Sequence, residues 1–466
     1  VLNLIFKTDN MRKTGNIYTL FCLGLMILSG CEDLVEVDYP SNQLGTIQVF
    51  EDVQIANSAL AGLYADLRDQ SIITGGSYYG TNALSGSYTD DLDCYNTTQG
   101  LMDIYQNQQQ PTNTFIASMW NTAYRQIYYA NSIICGAEHS AELSEGDKNR
   151  IKGEALLIRS LIYFYLQQLF DDIPYTNSLD YEYNRNLGKT EGSSLLEQLE
   201  LDLKEAVSLM EDNYRDAERI YPNRKVAELL LAKVYLTLQK YPEAEQTADA
   251  ILQSPLYQFQ PDINEVFHKT GSHILWQLKP ENNDDPVEEA TFYYFTGSAP
   301  NSYVLTENLV NTFADNDLRK QAWMSEETFN EHSWYRPCKY KNRFDNNNEY
   351  SIVFRLEEIY FIMAEALAKQ NRFDDALPYL NATRERAGLT AFASLSGDDF
   401  INELLEEKRR EFFAESGHRF LDLKRMGRLD ELSTIKPNWE EYKRVWPLPQ
   451  NELLLNINLN PQNTGY

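Results

Sequence analysis

The chain has 466 residues, 43% of them hydrophobic, and its 69 acidic against 41 basic side chains give a formal net charge of −28. Such a length and hydrophobic content suffice to bury one large core or two smaller ones, which rules out disorder as the default state. A negative field of this size repels polyphosphates and anionic surfaces and argues against nucleic acid as a partner.

The amino terminus carries the most specific local pattern. Met11-Arg12-Lys13 is a basic stretch, Ile17 to Leu28 is an apolar run of 12 residues, and Leu28-Ser29-Gly30-Cys31 closes it with small residues. The run is too short for a bilayer-spanning helix, which needs roughly 20 residues. The pattern is that of a lipoprotein signal peptide over residues 1–30, with 1–10 upstream of the initiator Met11 and Cys31 as the lipid-bearing first residue of the mature chain. Glu32, Asp33, Glu36 and Asp38 follow as a solvated acidic tether. The segment 1–30 carries Lys7, Asp9, Arg12 and Lys13, a net charge of +2, so the mature chain sits near −30. Cys94, Cys135 and Cys338 remain, with no Cys-x-x-Cys. An odd number without paired spacing supports neither a disulfide framework nor a zinc site, and the three are read as buried free thiols.

Helical periodicity begins with Val53, Ala56, Leu60, Leu63 and Leu67, and resumes with Trp120, Ala123, Ile127, Ala130 and Ile134. Gly153 to Phe170 is apolar almost all round, which predicts a helix enclosed by neighbours and stopped by Asp171-Asp172-Ile173-Pro174. Ser194-Leu195-Leu196-Glu197 has capping-box spacing and predicts a helix over 194–210. Further helices are predicted over 222–239, 242–253, 355–369, 373–387 and 399–415. Ala232 to Leu252 aligns with Ala364 to Arg384: in both, an aromatic (Tyr241, Phe373) follows the first Ala by nine residues and a second Ala (Ala244, Ala376) by twelve. Small residues there let antiparallel helices approach closely, the logic of tetratricopeptide pairs. Residues 71–117 and 255–350 read as irregular, apart from strand-like runs such as Ile274 to Leu278. The expected fold is mostly α: tetratricopeptide-like helix pairs form one scaffold, and a loop-rich face holds a few short strands.

Several ordered blocks point to one family. They include Tyr88-Thr89-Asp90-Asp91; Trp120, Tyr124, Ile127 and Asn131; Gly153-Glu154-Ala155 with Ile158-Arg159; and Glu358-Ile359-Tyr360 with Ala364-Glu365-Ala366. Toward the end come Arg384, Arg386-Ala387-Gly388-Leu389, Glu407-Lys408-Arg409-Arg410-Glu411, Gly417-His418-Arg419-Phe420, Trp446-Pro447-Leu448-Pro449 and Gln462-Asn463-Thr464-Gly465-Tyr466. Together with the lipobox they make the chain resemble the SusD/RagB family over nearly its whole mature length. Glu415-Ser416-Gly417-His418-Arg419 departs from the common form, in which Glu-Gly directly precedes His-Arg, and puts only local loop geometry in question.

The resemblance implies a single domain over 31–466, with an N-terminal part at 31–190 and a C-terminal part at 222–466. It also implies a surface-exposed lipoprotein of the outer membrane, as in Bacteroidetes, whose acidic export signal resembles residues 32–38. Such a protein packs as a lid on a SusC-like TonB-dependent transporter and binds glycan without catalysis. No cofactor is expected, and no residue set specifies a structural calcium.

Sugar recognition needs flat apolar faces for pyranose C–H surfaces and a few amides or carboxylates for hydroxyls. The 31 Tyr, 21 Phe and six Trp exceed what packing in Gly- and Asn-rich stretches would use. Two loop regions supply candidates: Tyr78, Tyr79, Tyr88, Asp90, Asp91, Tyr95 and Asn96 in the first, and Tyr293, Tyr294, Trp323, Trp334 and Tyr335 in the second. Arg409, Arg410, Glu411, Glu415, His418, Arg419, Asp422 and Lys424 mix both signs at helical and turn spacing, the pattern of a structural ion-pair network. Arg336, Lys339, Lys341 and Arg343 are expected on a solvated strand face. The rival readings are a peptide-capturing RagB-like lipoprotein, a glycoside hydrolase working with two carboxylates, and a general tetratricopeptide-like scaffold. No metalloprotease, nucleophile-elbow, phosphate-loop or dinucleotide motif is present.

Overall fold

Apolar faces at helical spacing must be buried, and the chain does so by laying consecutive helices side by side. The computed structural model describes residues 49–466; the signal segment, Cys31 and the acidic tether lie outside the described residues. The helices are α1 (Val53–Gln70), α2 (Thr81–Tyr88), α3 (Gln99–Tyr105), α4 (Thr114–His139), α5 (Glu145–Phe170), α6 (Gly192–Leu209), α7 (Arg224–Thr237) and α8 (Tyr241–Leu252). After a strand-bearing stretch come α9 (Leu356–Lys369), α10 (Phe373–Arg386), α11 (Gly397–Phe412) and α12 (His418–Arg425). From α4 onward each long helix packs on the next: α4 on α5, α5 on α6, and so through α7, α8, α9 and α10 to α11. Residues 49–466 form one compact unit.

The repeated pairs fall where their small residues predict. Ala232, Ala244, Ala364 and Ala376 are all fully buried, in α7/α8 and α9/α10 respectively. The helix α5 is enclosed from Gly153 to Phe170 as its apolar run requires. It begins earlier, at Glu145, where Ser144 accepts the Asp147 N–H at 3.1 Å and caps a polar, amphipathic first half. Asp171, at φ +65°, ends it. The Ser194 capping box does not form, because α6 already starts at Gly192. Residues 71–117, expected to be irregular, contain α2, α3 and the start of α4. Buried on every side, α2 offers no amphipathic stripe to read.

The strands form two small sheets. In the first, β1 (Leu92–Cys94), β3 (Tyr303–Leu305), β5 (His332–Pro337) and β4 (Met324–Phe329) lie in the order β1-β3-β5-β4, with antiparallel pairings. In the second, β2 (Ile274–Leu278) pairs antiparallel with β6 (Ser351–Arg355). Asn330 and Glu331, both at positive φ (50° and 66°), make the two-residue turn of the β4–β5 hairpin, matching the strand twist.

The charged carboxy-terminal cluster is largely buried and paired, except that the half-buried Lys424 donates to the Gln168 carbonyl at 2.5 Å and not to a carboxylate. Glu411 on α11 receives Arg355 from the end of β6 at 2.6 Å and also Arg386 from α10, and Arg319 lies 3.5 Å away. Arg319 further binds Asp317 (2.8 Å) and Glu407 (2.7 Å), and all three side chains are fully buried. Burial alone would raise the Glu411 pKa, but Arg386, Arg355 and Arg319 outweigh it and hold this carboxyl well below the usual range. Burial, with Lys233 and Lys408, pushes the His418 pKa well below the ordinary imidazole value, so this ring is neutral. Ser416 and Gly417, both at positive φ, form the turn before α12, and the Ser416 N–H donates to Asn82 at 2.6 Å. Lys339 is buried in the same junction, 2.5 Å from Glu415, and not on the solvated strand face expected for its basic cluster. Cys94 is buried, whereas Cys135 and Cys338 are half-buried; all three are free.

Breaking a buried pair on one side leaves uncompensated charge. Glu411→Ala is therefore expected to cost about 3–5 kcal/mol in urea unfolding, against under ~1 kcal/mol for the exposed Glu145→Ala. The depressed Glu411 pKa also gives the pH sign: its contribution is complete above about pH 5 and falls away as acid approaches the native pKa. The difference in urea midpoint between the wild type and Glu411→Gln should thus hold from pH 7 to about pH 5 and shrink below about pH 4, since both share every other titrating group.

Candidate functional site

The first sheet gathers side chains that are far apart in sequence. Antiparallel pairing puts Cys94 opposite Tyr303 and Leu305 opposite Tyr335, which brings the residue after β1, Tyr95, next to Trp334 on β5. The Trp334 indole N–H donates to the Tyr95 hydroxyl at 2.8 Å, and the rings meet edge to face at 6.2 Å. Tyr95 is 40% exposed and Trp334 is half-buried. Phe295 (6.5 Å) and His332 (5.9 Å) pack around the Trp334 ring. An indole held by its polar edge and neighbouring rings is a rigid aromatic surface that loses little entropy when a ligand stacks on it.

Tyr79 is a second exposed ring, 43% accessible and stacked on Phe115 at 5.2 Å. Its neighbour Tyr78 turns inward against Phe292 (4.8 Å) and Tyr303 (6.0 Å), beneath the sheet. The loop that carries both rings lies against the short helix Glu288–Phe292. A Cβ on Gly76 would sit 2.2 Å from the Glu288 backbone, so only glycine permits that approach. Tyr294 is half-buried under guanidinium groups, with Arg343 3.2 Å and Arg336 4.8 Å from its ring centroid. The Asn96 side-chain oxygen accepts the Thr98 N–H at 2.9 Å and shapes the turn after β1. Tyr335 is half-buried, and its hydroxyl donates to Glu326 at 3.1 Å.

Five candidates are core residues. Tyr88 is fully buried among Phe420, Trp439 and Trp446, and its hydroxyl donates to the Lys443 carbonyl at 2.6 Å. Asp91 is buried against Arg409 at 2.8 Å, while Asp90 binds Arg419 at 2.9 Å; this acidic pair anchors the head of β1 to the helices and cannot reach a sugar. Tyr293 is 2% exposed. Trp323 is 1% exposed, with its indole N–H on the Ile263 carbonyl at 3.1 Å. Tyr88 closes α2 and the others lie in connecting segments, but each ring or carboxylate is turned into the interior. Sequence reasoning passed over His332, which the β4–β5 hairpin aims at Trp334, and the buried Phe295, which backs the same ring; the hairpin was the missing signal.

Carboxylates near Trp334 are already engaged. Glu327 lies opposite Trp334 in the hairpin and binds Arg336 at 3.1 Å. Burial pushes its pKa up, but hydrogen bonds from Ser325 and Thr296, with Arg336, hold it below the ordinary carboxylate value, the reverse of what a general acid needs. Asp93 accepts from the Tyr105 hydroxyl at 2.9 Å. Among the described residues no group of three or more His, Cys, Asp or Glu is placed to hold a metal ion. Nor is any described helix long and apolar enough to cross a membrane.

Comparison with known proteins gives this architecture a family. Residues 39–236 match the family model described as "Starch-binding associating with outer membrane", and residues 255–466 match the one described as "SusD family". The chain belongs to the SusD/RagB family. Among SusD-like relatives it is similar to SusD-like protein P25 of Formosa agariphila, at 23% identity over 94% of this chain and 96% of the relative. Its fold matches a laminarin binding SusD-like protein (TM-score 0.76, 20% identity, 89% of this chain and 99% of that one). It also matches surface glycan-binding protein A from Bacteroides thetaiotaomicron in complex with laminarihexaose (TM-score 0.73, 18% identity, 88% and 99%). The mostly helical, tetratricopeptide-like SusD fold is thus the observed one.

Burial separates the two tryptophans experimentally. Trp323→Ala should cost about 3–5 kcal/mol of unfolding free energy because it empties a packed site, whereas Trp334→Ala should change stability by under ~1 kcal/mol, as read by urea titration of both variants. Glu289, beneath the Tyr78 loop, gives a pH signature of its own. Burial raises its pKa to about 7 despite the hydrogen bond from Ser351. A raised carboxyl binds its proton more tightly in the native state, so stability falls as pH rises from about 4.5 to 7 and is level above. Glu289→Gln should therefore be more stable than wild type at pH 8, on the order of 1–2 kcal/mol, and equal to it at pH 4.

Proposed function

We propose that this SusD/RagB protein is a non-catalytic, cell-surface lipoprotein of the outer membrane that captures an oligo- or polysaccharide on the Tyr95–Trp334 surface. Anchored through a lipid on Cys31, it then delivers the glycan to a SusC-like TonB-dependent transporter, over which it acts as a lid. The observation that carries this reading is the hydrogen-bonded pair of the exposed Tyr95 and the half-buried Trp334 rings at the first sheet. Pyranose C–H faces stack on such rings, and the polar rim supplies hydroxyl partners without a deep pocket, which suits a long polymer. The starch-binding description of the family model and the laminarin and laminarihexaose ligands of structural relatives support glycan as the ligand class. Capture by several weak contacts leaves the chain free to be handed on, since no single contact holds it long.

Native affinity gels of the mature chain with laminarin, soluble starch and other soluble polysaccharides test this directly. Retardation on at least one glycan is expected, and Trp334→Ala or Tyr95→Ala should weaken it about tenfold or more, a loss of ~1.4 kcal/mol or above. Absence of retardation on every glycan would favour peptide cargo or a pure lid role. Accumulating reducing ends would overturn the non-catalytic claim.

A further inference from the structure

A groove of about 690 Å³ runs between the middle of α4, the short helix Tyr181–Asn184 and the carboxy-terminal segment around Glu452. It shares no lining residue with the Tyr95–Trp334 surface. Its floor is the half-buried Tyr124, backed by the buried Trp120 with ring centroids 4.8 Å apart. The Tyr124 hydroxyl is already committed to the Pro174 carbonyl at 2.7 Å, so its ring is what the groove receives. Two further rings stand open at the sides, Tyr128 at 47% exposure and Tyr181 at 72%. Between them the groove presents the Asn121 amide and the Glu452 carboxylate.

Glu452 is half-buried and has no salt-bridge partner among the described residues, and burial alone acts on its pKa, raising it. A half-desolvated carboxylate without donors is costly, and hydroxyl donors relieve that cost. At the rim Arg185 is paired with Glu182 at 3.3 Å, so no uncompensated cation invites an anionic ligand. Ring faces, one amide and one carboxylate in a volume within the usual range for small-ligand sites, roughly 300–1,000 Å³, form a set that suits neutral sugar rings.

We infer that this groove is a second saccharide-binding site, taking a short, uncharged stretch of oligosaccharide on Tyr124, Tyr128 and Tyr181, with Asn121 and Glu452 bonding its hydroxyls. The inference rests on the glycan-binding reading above. Tyr79 stacks on Phe115 at the start of α4, and the groove floor lies on the same helix, roughly 14 Å further along at 1.5 Å per residue. A polymer engaged at both places gains avidity over either alone.

The experiment compares the mature wild type with Trp334→Ala and with the triple variant Tyr128→Ala/Tyr181→Ala/Glu452→Gln. Its side chains are surface or rim positions, and circular dichroism checks the fold. Gels containing laminarin or soluble starch are paired with calorimetric titration of laminarihexaose and maltohexaose. The expected result is about a fivefold or greater loss of polymer affinity in the triple variant, with oligosaccharide stoichiometry falling from two sites to one in either variant. Wild-type behaviour of the triple variant, with binding lost in Trp334→Ala, would overturn the groove alone and leave its exposed Leu454, Leu455 and Ile457 rim as a macromolecular contact. Binding lost in the triple variant but intact in Trp334→Ala would uphold the groove and overturn the sheet surface. A wild type that binds none of the four probes would overturn both.

Discussion

Glu411 is the point on which the fold's two halves turn. A carboxylate enclosed by Arg319, Arg355 and Arg386 ties α11 to the end of β6, to α10 and to the short helix Leu318–Ala322. Two residues before it on the same helix, Arg409 grips Asp90 and Asp91 at the head of β1. A helix with charges on its buried side would be a liability in isolation. Here its charges are matched, and the matching is directional: guanidinium forks donate in their own plane, which favours carboxylates lying in it. The network therefore fixes where the small sheets sit on the helical stack more than it adds net stability.

The position of the sheet is what makes a binding surface available. β1 follows α2 and its acidic pair, while β3, β5 and β4 come from the long stretch between α8 and α9; the strand pairing brings Tyr95 to Trp334, and Arg409 and Arg419 tie the head of β1 to the helices. Trp323 and Tyr293 belong to the same stretch but face the helices, filling the space beneath it. The division of labour among aromatics is thus topological: rings facing the helical stack are structural, and rings beyond the sheet edge are free for a ligand.

Much of the helical scaffold was legible in the residues. The spaced Ala and aromatic positions of α7/α8 and α9/α10 and the all-round apolar run of α5 declare their packing directly. The charge blocks around Arg409 and His418 were readable as ion pairs because both signs recur at helical spacing. What escaped was whatever depends on distant partners. The helix α2 is too small and polar to show a stripe, and the β4–β5 hairpin turns on Asn330-Glu331, not on a glycine pair. The inward or outward sense of each loop aromatic is set by strands more than 200 residues apart, as for Tyr95 and Trp334. Local sequence cannot distinguish Trp323 from Trp334, because both stand in similar polar, aromatic surroundings.

The most direct test of the account is a crystal structure of the mature chain with a bound oligosaccharide from the glycan that retards it. A pyranose ring stacked on Trp334 and in contact with Tyr95 is the predicted result, with Trp323, Tyr293 and Tyr88 still buried behind the sheet. A sugar bound elsewhere, with the Trp334 ring bare, would contradict the claim that the sheet edge is the capture surface.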